Sequence, residues 1–527
     1  MNCGPPGTDH TRTDHTVVIG AGIAGLVSAL LIAASGRRVT VLERQATPGG
    51  KMRQILVGGA PVDSGPTVFT LRGVFDAIFE AAGARLDERV TLREAEVLAR
   101  HAWDGGARLD LFTDVDRSAD AVGALSGARD AKGFREFCKA SADVFAMLDE
   151  SFIRAAEPSL PKLMASQGMF GAHRLLAIRP FTTLMPALEG FFRDPRLVQL
   201  FGRYATYCGS SPYLAPATLM LIAHVEQSGV WMVEGGMQNL ARALHRLAEE
   251  KGATFLFGRE AREIVVEHGR VAGVETQDGE RIAATTVVAN ADAGAIANGI
   301  LGREAARAVP PAARAARSLS ALTVSMRART QGFPLSRHTV FFSRDYEAEF
   351  DAVFEHGRLP AEPTVYVCAQ DRDDHGLDES RAGPDGPERL FMIVNAPATG
   401  DTRPFSPEEI ATCETATFQH LSRLGLSVER DPEATRITTP SDFERLFPGT
   451  GGALYGRASH GWNASFERPS ARTKLPGLYL AGGSVHPGAG VPMAALSGWT
   501  AAHLISRYSA STARSRMMGT AGGTSTS

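Results

Sequence analysis

Six residues near the start of the chain, Gly20-Ala21-Gly22-Ile23-Ala24-Gly25, have the spacing needed to hold a pyrophosphate. At a turn from strand to helix, the first glycine permits the tight bend and the second lets backbone approach a phosphate. The third lets the helix pack on the strand. The start of that helix then offers free N–H groups and the positive end of its dipole to the anion. Glu43 stands 23 residues after Gly20, where an acid can accept hydrogen bonds from both hydroxyls of a ribose. These features predict a dinucleotide site without deciding between a nicotinamide and a flavin. A second glycine pair follows in Arg44-Gln45-Ala46-Thr47-Pro48-Gly49-Gly50-Lys51-Met52. A nicotinamide enzyme has no need of it.

The elements that must position these residues are legible around them. Thr16 to Ile19 reads as a buried strand, the next stretch as a helix to about Ser35, and Arg38 to Leu42 as a second strand. The uncharged run from Val17 to Ala34 is near the length of a membrane span, but its early glycines favour a buried βα unit. Leu240 to Glu250 is an amphipathic helix. Strand-like runs follow at Thr254–Phe257, Ala261–Glu267, Arg270–Gln277 and Arg281–Ala289, with Gly269 and Asp278-Gly279 as the turns of a three-stranded meander. Pro476 to Ala481 is a last strand and Met493 to Tyr508 a last helix. Two insertions separate these pieces, one largely helical over residues 73–224 and one mixed over 301–464. The expected fold class is therefore α/β with an α+β second domain. Residues 14–72, 225–300 and 465–508 form a discontinuous nucleotide-binding domain, and 73–224 with 301–464 form the second. Residues 1–13 and 509–527 are expected to be disordered tails, the latter from its Ser, Thr, Gly and Ala content.

A length of 527 residues suggests two to four structural units, and a net charge of -3 gives no reason to expect a nucleic-acid partner. The five cysteines are scattered with no C-x-x-C pair, which argues against a disulfide framework or zinc site and favours a reducing compartment. The N-terminus lacks the pattern of a secretory signal. Asp371, Asp373, Asp374 and His375 have no second histidine at ligand spacing, so a solvated loop is expected and no metal.

The stretch Glu43 to Met52 resembles the pyrophosphate loop of flavoproteins in the amine-oxidase and phytoene-desaturase superfamily. Asp63-Ser64-Gly65-Pro66-Thr67 resembles that family's segment beside the flavin ring. Near the C-terminus, Gly482-Gly483-Ser484-Val485-His486-Pro487-Gly488-Ala489-Gly490-Val491-Pro492 is similar to the signature of bacterial-type carotenoid desaturases. Trp231 to Met237 and Ala289-Asn290-Ala291-Asp292 resemble further family segments. Leu454 to Asn463 resembles the 1-hydroxycarotenoid 3,4-desaturases most. The insertions resemble the family only in length and general character. The resemblance implies a Rossmann-like FAD-binding domain with an inserted substrate-binding domain. It assigns FAD to Gly20, Gly22, Ile23, Ala24, Gly25, Glu43, Arg44, Gly49, Gly50, Lys51, Gly65, Pro66, Thr67, Val265, Gly482, Gly483, Ser484, Gly490, Val491, Pro492 and Met493. Ser484 departs from the acid that many members carry. The helix starting near Pro492 is expected to aim its N-terminus at the flavin.

The implied reaction moves a hydride from C4 of a 1-hydroxycarotenoid to flavin N5 and a proton from C3 to an acceptor. His224 and Glu226 are the candidate acceptors, although His224 follows the apolar run Leu219–Ala223 and reads better as a satisfied core histidine. Trp231, His460 and Trp462 are candidate substrate contacts, and His486 a structural hydrogen bonder. The implied partners are a long apolar carotenoid and a peripheral membrane surface, here the cytoplasmic side of the inner membrane. No electron acceptor is indicated. The apolar stretch Leu175 to Phe192 either dips into the bilayer interface or lines the substrate tunnel. A phytoene-type desaturase, a carotenoid isomerase and a non-catalytic lipid-binding escort on the same fold remain as alternatives.

Overall fold

The computed structural model describes residues 14–159, 161, 182–310, 316–378, 386–464 and 466–520. Strand β1 (His15–Ile19) is buried along its whole length, and helix α1 (Ile23–Ala34) is buried on nearly every side. That double burial explains their continuous apolar runs, because strands of a parallel sheet are covered on both faces. Next to β1 lies β2 (Arg38–Glu43). Helix α2 (Gln238–Glu250) leads into β3 (Ala253–Phe257), then come β4 (Thr286–Ala289), β5 (Leu478–Leu480) and helix α3 (Val491–Thr520). The five strands form one parallel sheet in the order β5-β4-β1-β2-β3, so three distant stretches of chain meet in it. Both α2 and α3 pack on α1.

Arg281–Ala289, expected as one strand, is two. Arg281–Ala283 closes the antiparallel meander with Ala261–Glu267 and Arg270–Thr276, and Thr286–Ala289 joins the parallel sheet. The handover is made by consecutive backbone bonds, Ala284 N–H to Ala272 O at 3.1 Å and Thr285 N–H to His15 O at 3.1 Å. Helix α3 runs on to Thr520, into the stretch expected to be a tail.

A second sheet, of eight strands and mainly antiparallel, is capped by helices. Its strands include Ser320–Gly332, Glu388–Ala396, Val365–Ala369 and His338–Phe341. Residues 73–224 are less helical than expected. Val97–Ala102 pairs with Arg108–Phe112 and joins the large sheet in parallel at Thr339↔Arg100, so both insertions build one sheet. The alternation that marks these strands, with Leu109 and Leu111 inward, is short and was masked by the helical character around it. Helices Ala128–Leu148 and Pro195–Gly202 enclose an aromatic cluster in which Phe137 and Phe192 lie 4.6 and 4.9 Å from the Phe201 ring.

That cluster corrects part of the bilayer expectation. Leu184, Leu188 and Phe192 are buried in this core, so they are not free to enter a membrane, while Leu175–Phe181 lie outside the described residues. Among the described residues no helix is long and apolar enough to cross a membrane. The acidic cluster is not a purely solvated loop either. Asp371 is buried against Arg389 at 2.5 Å, and Asp374 accepts from the backbone N–H groups of Glu96 and Val97.

Candidate active site

One cavity of about 960 Å³ runs from the first glycine turn to the eight-stranded sheet, and residues from both terminal regions of the polypeptide line it. At its nucleotide end, Glu43 is buried beneath the turn and accepts from Ala21 N–H at 2.7 Å and Gln45 N–H at 2.8 Å. Burial pushes its carboxyl up and the two N–H groups oppose that, which leaves further lone pairs for ribose hydroxyls. The two glycine turns touch. Gly22 bridges Gly49, and Gly49 N–H donates to Ala21 O at 2.9 Å.

A side chain has no room in this cradle. A Cβ on Gly22 would lie 2.7 Å from Asn290 Oδ1, one on Gly25 2.0 Å from Gly20 O, and one on Gly65 1.8 Å from Lys51 O. Gly25 does not line the cavity, and its role is the close packing of helix on turn. Asn290 closes the site. Its Oδ1 accepts from Gly25 N–H at 3.0 Å and its Nδ2 donates to Ala481 O at 3.1 Å, so β4 ties the first turn to the last strand. Bare backbone, a buried acid and a helix N-terminus on one elongated cavity fit FAD: the glycine turns would hold its pyrophosphate, and residues 64–67 and 482–493 would hold its ring.

The segment beside the expected ring position is held rigidly. Asp63 accepts from Met237 N–H at 2.8 Å, Gln370 exchanges hydrogen bonds with the Asp63 backbone, and Ser64 meets Ser325 at 2.7 Å. Thr67 shares a 2.6 Å hydrogen bond with Tyr366, whose hydroxyl also meets His338 Nδ1 at 2.7 Å. Burial pushes that imidazole down to about 3, so it is neutral. Lys51 donates to Leu454 O at 2.5 Å, and desolvation lowers its ammonium while Asp292 opposes the shift. Arg468 is buried and reaches Gly483 O at 3.0 Å, Arg457 O at 3.1 Å and Tyr455 O at 3.3 Å, clamping the 455–459 loop onto the C-terminal glycine loop.

Beyond Thr67 the walls become apolar, with Leu148, Phe152, Ile222, Val225, Phe391 and Ile393. A buried polar cluster stands among them. Glu226 is buried and accepts from Tyr204 Oη at 2.6 Å and from Tyr207 Oη, while Arg203 Nη2 reaches Tyr207 Oη at 3.4 Å. Burial pushes both phenols up, so they stay protonated donors.

The residues expected from the sequence fall into two groups. Gly20, Gly22, Ile23, Ala24, Glu43, Arg44, Gly49, Gly50, Lys51, Gly65, Pro66, Thr67, Glu226, Trp462 and all the C-terminal glycine-loop positions line the cavity. Val265 does not, whereas Ala261, at the start of the same strand, does. His224 is two residues from Glu226 on a short helix, hence on the opposite face. It lies against the Phe145 ring and Ser228. Trp231 backs the site from outside, its N–H donating to Phe69 O at 2.9 Å and its ring edge-on to Phe69. His460 accepts from Ser211 N–H at 3.0 Å and stands edge-on to Phe354, which makes it a loop fastener. Ser484 lines the cavity and accepts from Ala293 N–H at 2.9 Å, which leaves its own O–H free to donate. His486 Nε2 donates to Phe152 O at 2.8 Å, and burial pushes the ring down to about 4. Sequence reasoning missed Arg203, Tyr204, Tyr207, Asn290, Tyr366 and Arg468. The available signal was a charged residue and two tyrosines, one at i+4, in the stretch from Leu197 to Ala223 that carries no other charge.

The family model described as flavin containing amine oxidoreductase matches residues 23–506. A hydroxyneurosporene desaturase from Rubrivivax gelatinosus is 53% identical over 98% of this chain and 97% of its own. Another from Cereibacter sphaeroides is 46% identical over 93% of this chain and 97% of its own. Among solved structures, cyclohexylamine oxidase from Brevibacterium oxydans superposes with a TM-score of 0.56 at 16% identity, covering 94% of this chain and 99% of that one, which is a likeness of fold. With a cavity that fits FAD and is lined from both large sheets, the chain belongs to the flavin containing amine oxidoreductase family, within its carotenoid desaturase branch.

Proposed function

We propose that the protein introduces the C3–C4 double bond into acyclic 1-hydroxycarotenoids. The observation that carries this reading is the continuity of one cavity from the glycine loops to an apolar chamber with a buried carboxylate in its wall. The likeness to hydroxyneurosporene desaturases over nearly the whole chain supports the substrate class. When bound, FAD supplies the two-electron acceptor for a hydride leaving an allylic carbon. The apolar walls exclude water and align a stiff polyene, and positioning of this kind accounts for much of the barrier. The carboxylate of Glu226 accepts the C3 proton, held in place by the phenols of Tyr204 and Tyr207. The N-terminus of α3 and the enclosed ammonium of Lys51 add positive potential where negative charge develops.

The test is anaerobic mixing of the purified holoenzyme with a 1-hydroxycarotenoid and, separately, with phytoene. Bleaching of the visible flavin band and a new double bond at C3–C4 are expected with the first. A new bond at another position, or no bleaching, refutes the reading.

The carotenoid reaches this cavity from a membrane surface, and two exposed apolar residues favour one face for docking. Leu214 and Trp462 are 43% and 49% exposed and sit together, since Gly461 N–H donates to Leu214 O at 3.0 Å. Thr183 bridges Pro216 beside them, and Trp462 also lines the cavity. Flotation with vesicles of an anionic phospholipid mixture is expected to carry the wild type and to lose a Leu214→Ser, Trp462→Ser double variant. Equal flotation of the two refutes this docking face.

A further inference from the structure

One wall of the chamber is a face of the eight-stranded sheet. Along Glu388–Ala396, the alternate residues Phe391, Ile393 and Asn395 line the cavity, as the two-residue period of a strand requires. Asn395 is in register with Ala321, and Ile393 with Thr323 and Tyr366. It therefore stands one two-residue step from the row whose Tyr366 hydroxyl meets Thr67. The neighbouring polar groups on this face are already spent. Tyr366 is paired with Thr67 and His338, and Thr323 Oγ1 is shut away from the cavity. Thr364 Oγ1 accepts from Ser343 N–H at 3.2 Å and meets Ser343 Oγ at 3.1 Å. Asn395 is different. Its Nδ2 donates to the buried Glu349 Oε1 at 2.8 Å, while Glu349 Oε2 takes Thr364 N–H at 3.0 Å and Ser343 Oγ at 3.2 Å. Burial pushes the Glu349 carboxyl up, and these donors favour its charged form. A carboxylate only accepts, so Nδ2 faces Glu349 and the amide presents Oδ1 on its other side. That oxygen accepts no hydrogen bond among the described residues, and it is not closed off as Thr323 Oγ1 is.

We propose that Asn395 accepts a hydrogen bond from the C1 hydroxyl of the carotenoid, and that Glu349 is the positioning residue that keeps Asn395 Oδ1 turned to the chamber. This rests on the desaturase reading above and adds the group that tells a hydroxylated end from other ends. The chemistry of the ligand follows from the kind of atom presented. An amide oxygen with nothing bonded to it takes an O–H donor, which a hydrocarbon end and an ether end both lack. Spacing agrees with the chemistry. The hydroxyl oxygen is four bonds from C4, a reach comparable with one two-residue step along a strand, roughly 7 Å. Residues 64–67 would hold the ring, so a C4 reacting there carries its hydroxyl to the next row of the sheet, where Asn395 stands. Without the hydroxyl, Oδ1 loses water and gains no partner, and a site of this kind discriminates against the lacking analogue.

The experiment compares kcat/KM for a 1-hydroxycarotenoid, for its C1 methyl ether and for the same polyene with neither group, in wild type, Asn395→Leu and Glu349→Gln holoenzymes. FAD content and thermal unfolding serve as checks of folding. Wild type is expected to prefer the alcohol to both analogues by roughly 30-fold or more, and Asn395→Leu by less than about threefold, with the loss on the alcohol alone. Glu349→Gln gives a signature that simple loosening does not. Thr364 N–H still requires an oxygen, so the new NH2 group faces Asn395, which turns over and offers Nδ2 to the chamber. The ether oxygen then has a donor, so the alcohol-to-ether ratio is expected to fall about fivefold or more while the alcohol-to-hydrocarbon ratio holds. Should Asn395→Leu not fold, Glu349→Gln carries the test. A wild type that uses either analogue as fast as the alcohol, unchanged ratios in the variants, or equal losses on all three substrates overturns the contact and leaves the desaturase reading intact. A wild type that reacts with none of the three overturns the desaturase reading itself.

Discussion

Asn290→Ala tests how the nucleotide site is assembled. The side chain makes two hydrogen bonds of ordinary length, one from Gly25 N–H at 3.0 Å and one to Ala481 O at 3.1 Å, and so joins segments that lie 191 and 265 residues away in the chain. Both partners are backbone groups that the substitution leaves without a mate. The sites are part-buried, so the lower end of the usual range applies, about 1 kcal/mol for each bond, or about 2 kcal/mol together. Because the bonds shape the pyrophosphate turn, most of this should appear as weaker cofactor binding, about 30-fold in Kd. Asn290→Asp separates shape from charge. It keeps the acceptor for Gly25 but sets a carboxylate against Ala481 O and beside the phosphates, so it should bind FAD more weakly than the alanine variant. The assay is titration of deflavinated protein with FAD, followed by flavin fluorescence, with denaturant unfolding in parallel. An alanine variant that holds FAD within about twofold of wild type and unfolds at the same denaturant concentration would refute the claim that Asn290 closes the site.

Three further outcomes follow from the same geometry. Glu226→Gln keeps size and most hydrogen bonding but cannot take a proton, so turnover should fall about 100-fold or more with FAD content unchanged, and a loss under threefold excludes it as the acceptor. Gly65→Ala places a Cβ 1.8 Å from Lys51 O and should lower FAD retention, whereas Gly36→Ala, with φ of +81° and nothing within 4 Å, should cost only local strain; equal FAD content in both would contradict the cradle. His486 is neutral in the folded protein, its ring pushed down to about 4 by burial. Above the ordinary imidazole range this costs nothing, but as pH falls the unfolded chain takes up the proton first, and the penalty grows until the folded ring also protonates near pH 4. Wild type should therefore lose stability relative to His486→Gln by about 1.4 kcal/mol per pH unit over that window, measured by denaturant unfolding, and a pH-independent difference would show the ring to be charged or solvated.

The parts legible in the sequence were those fixed by local rules. The Gly20–Gly25 turn, Glu43, Gly49-Gly50 and the loop from Gly482 to Met493 each need a particular backbone shape or a missing side chain, and such needs are written in a few adjacent residues. The buried runs of β1 and α1 were legible for the same reason, since full burial demands an unbroken apolar stretch. Errors arose where a residue's neighbours come from elsewhere in the chain. His224 and Glu226 are two positions apart and equally polar, yet helical geometry turns one to the cavity and the other to Phe145. Val265 lies off the cavity that Ala261, four residues earlier on the same strand, lines. Trp231 and His460 proved to be braces, their hydrogen bonds going to Phe69 and Ser211.

By itself, then, the sequence determined a dinucleotide cradle, its flavin-type second loop and the parallel sheet that carries them, because short-range backbone requirements leave few alternatives. Only the tertiary structure decided that Asn290 locks the cradle, that both insertions share one sheet, and that Arg203, Tyr204, Tyr207 and Glu226 converge on a single polar spot. Hydrogen bonding between groups tens or hundreds of residues apart carries no local pattern, and burial of a charge becomes visible only once the walls around it are in place.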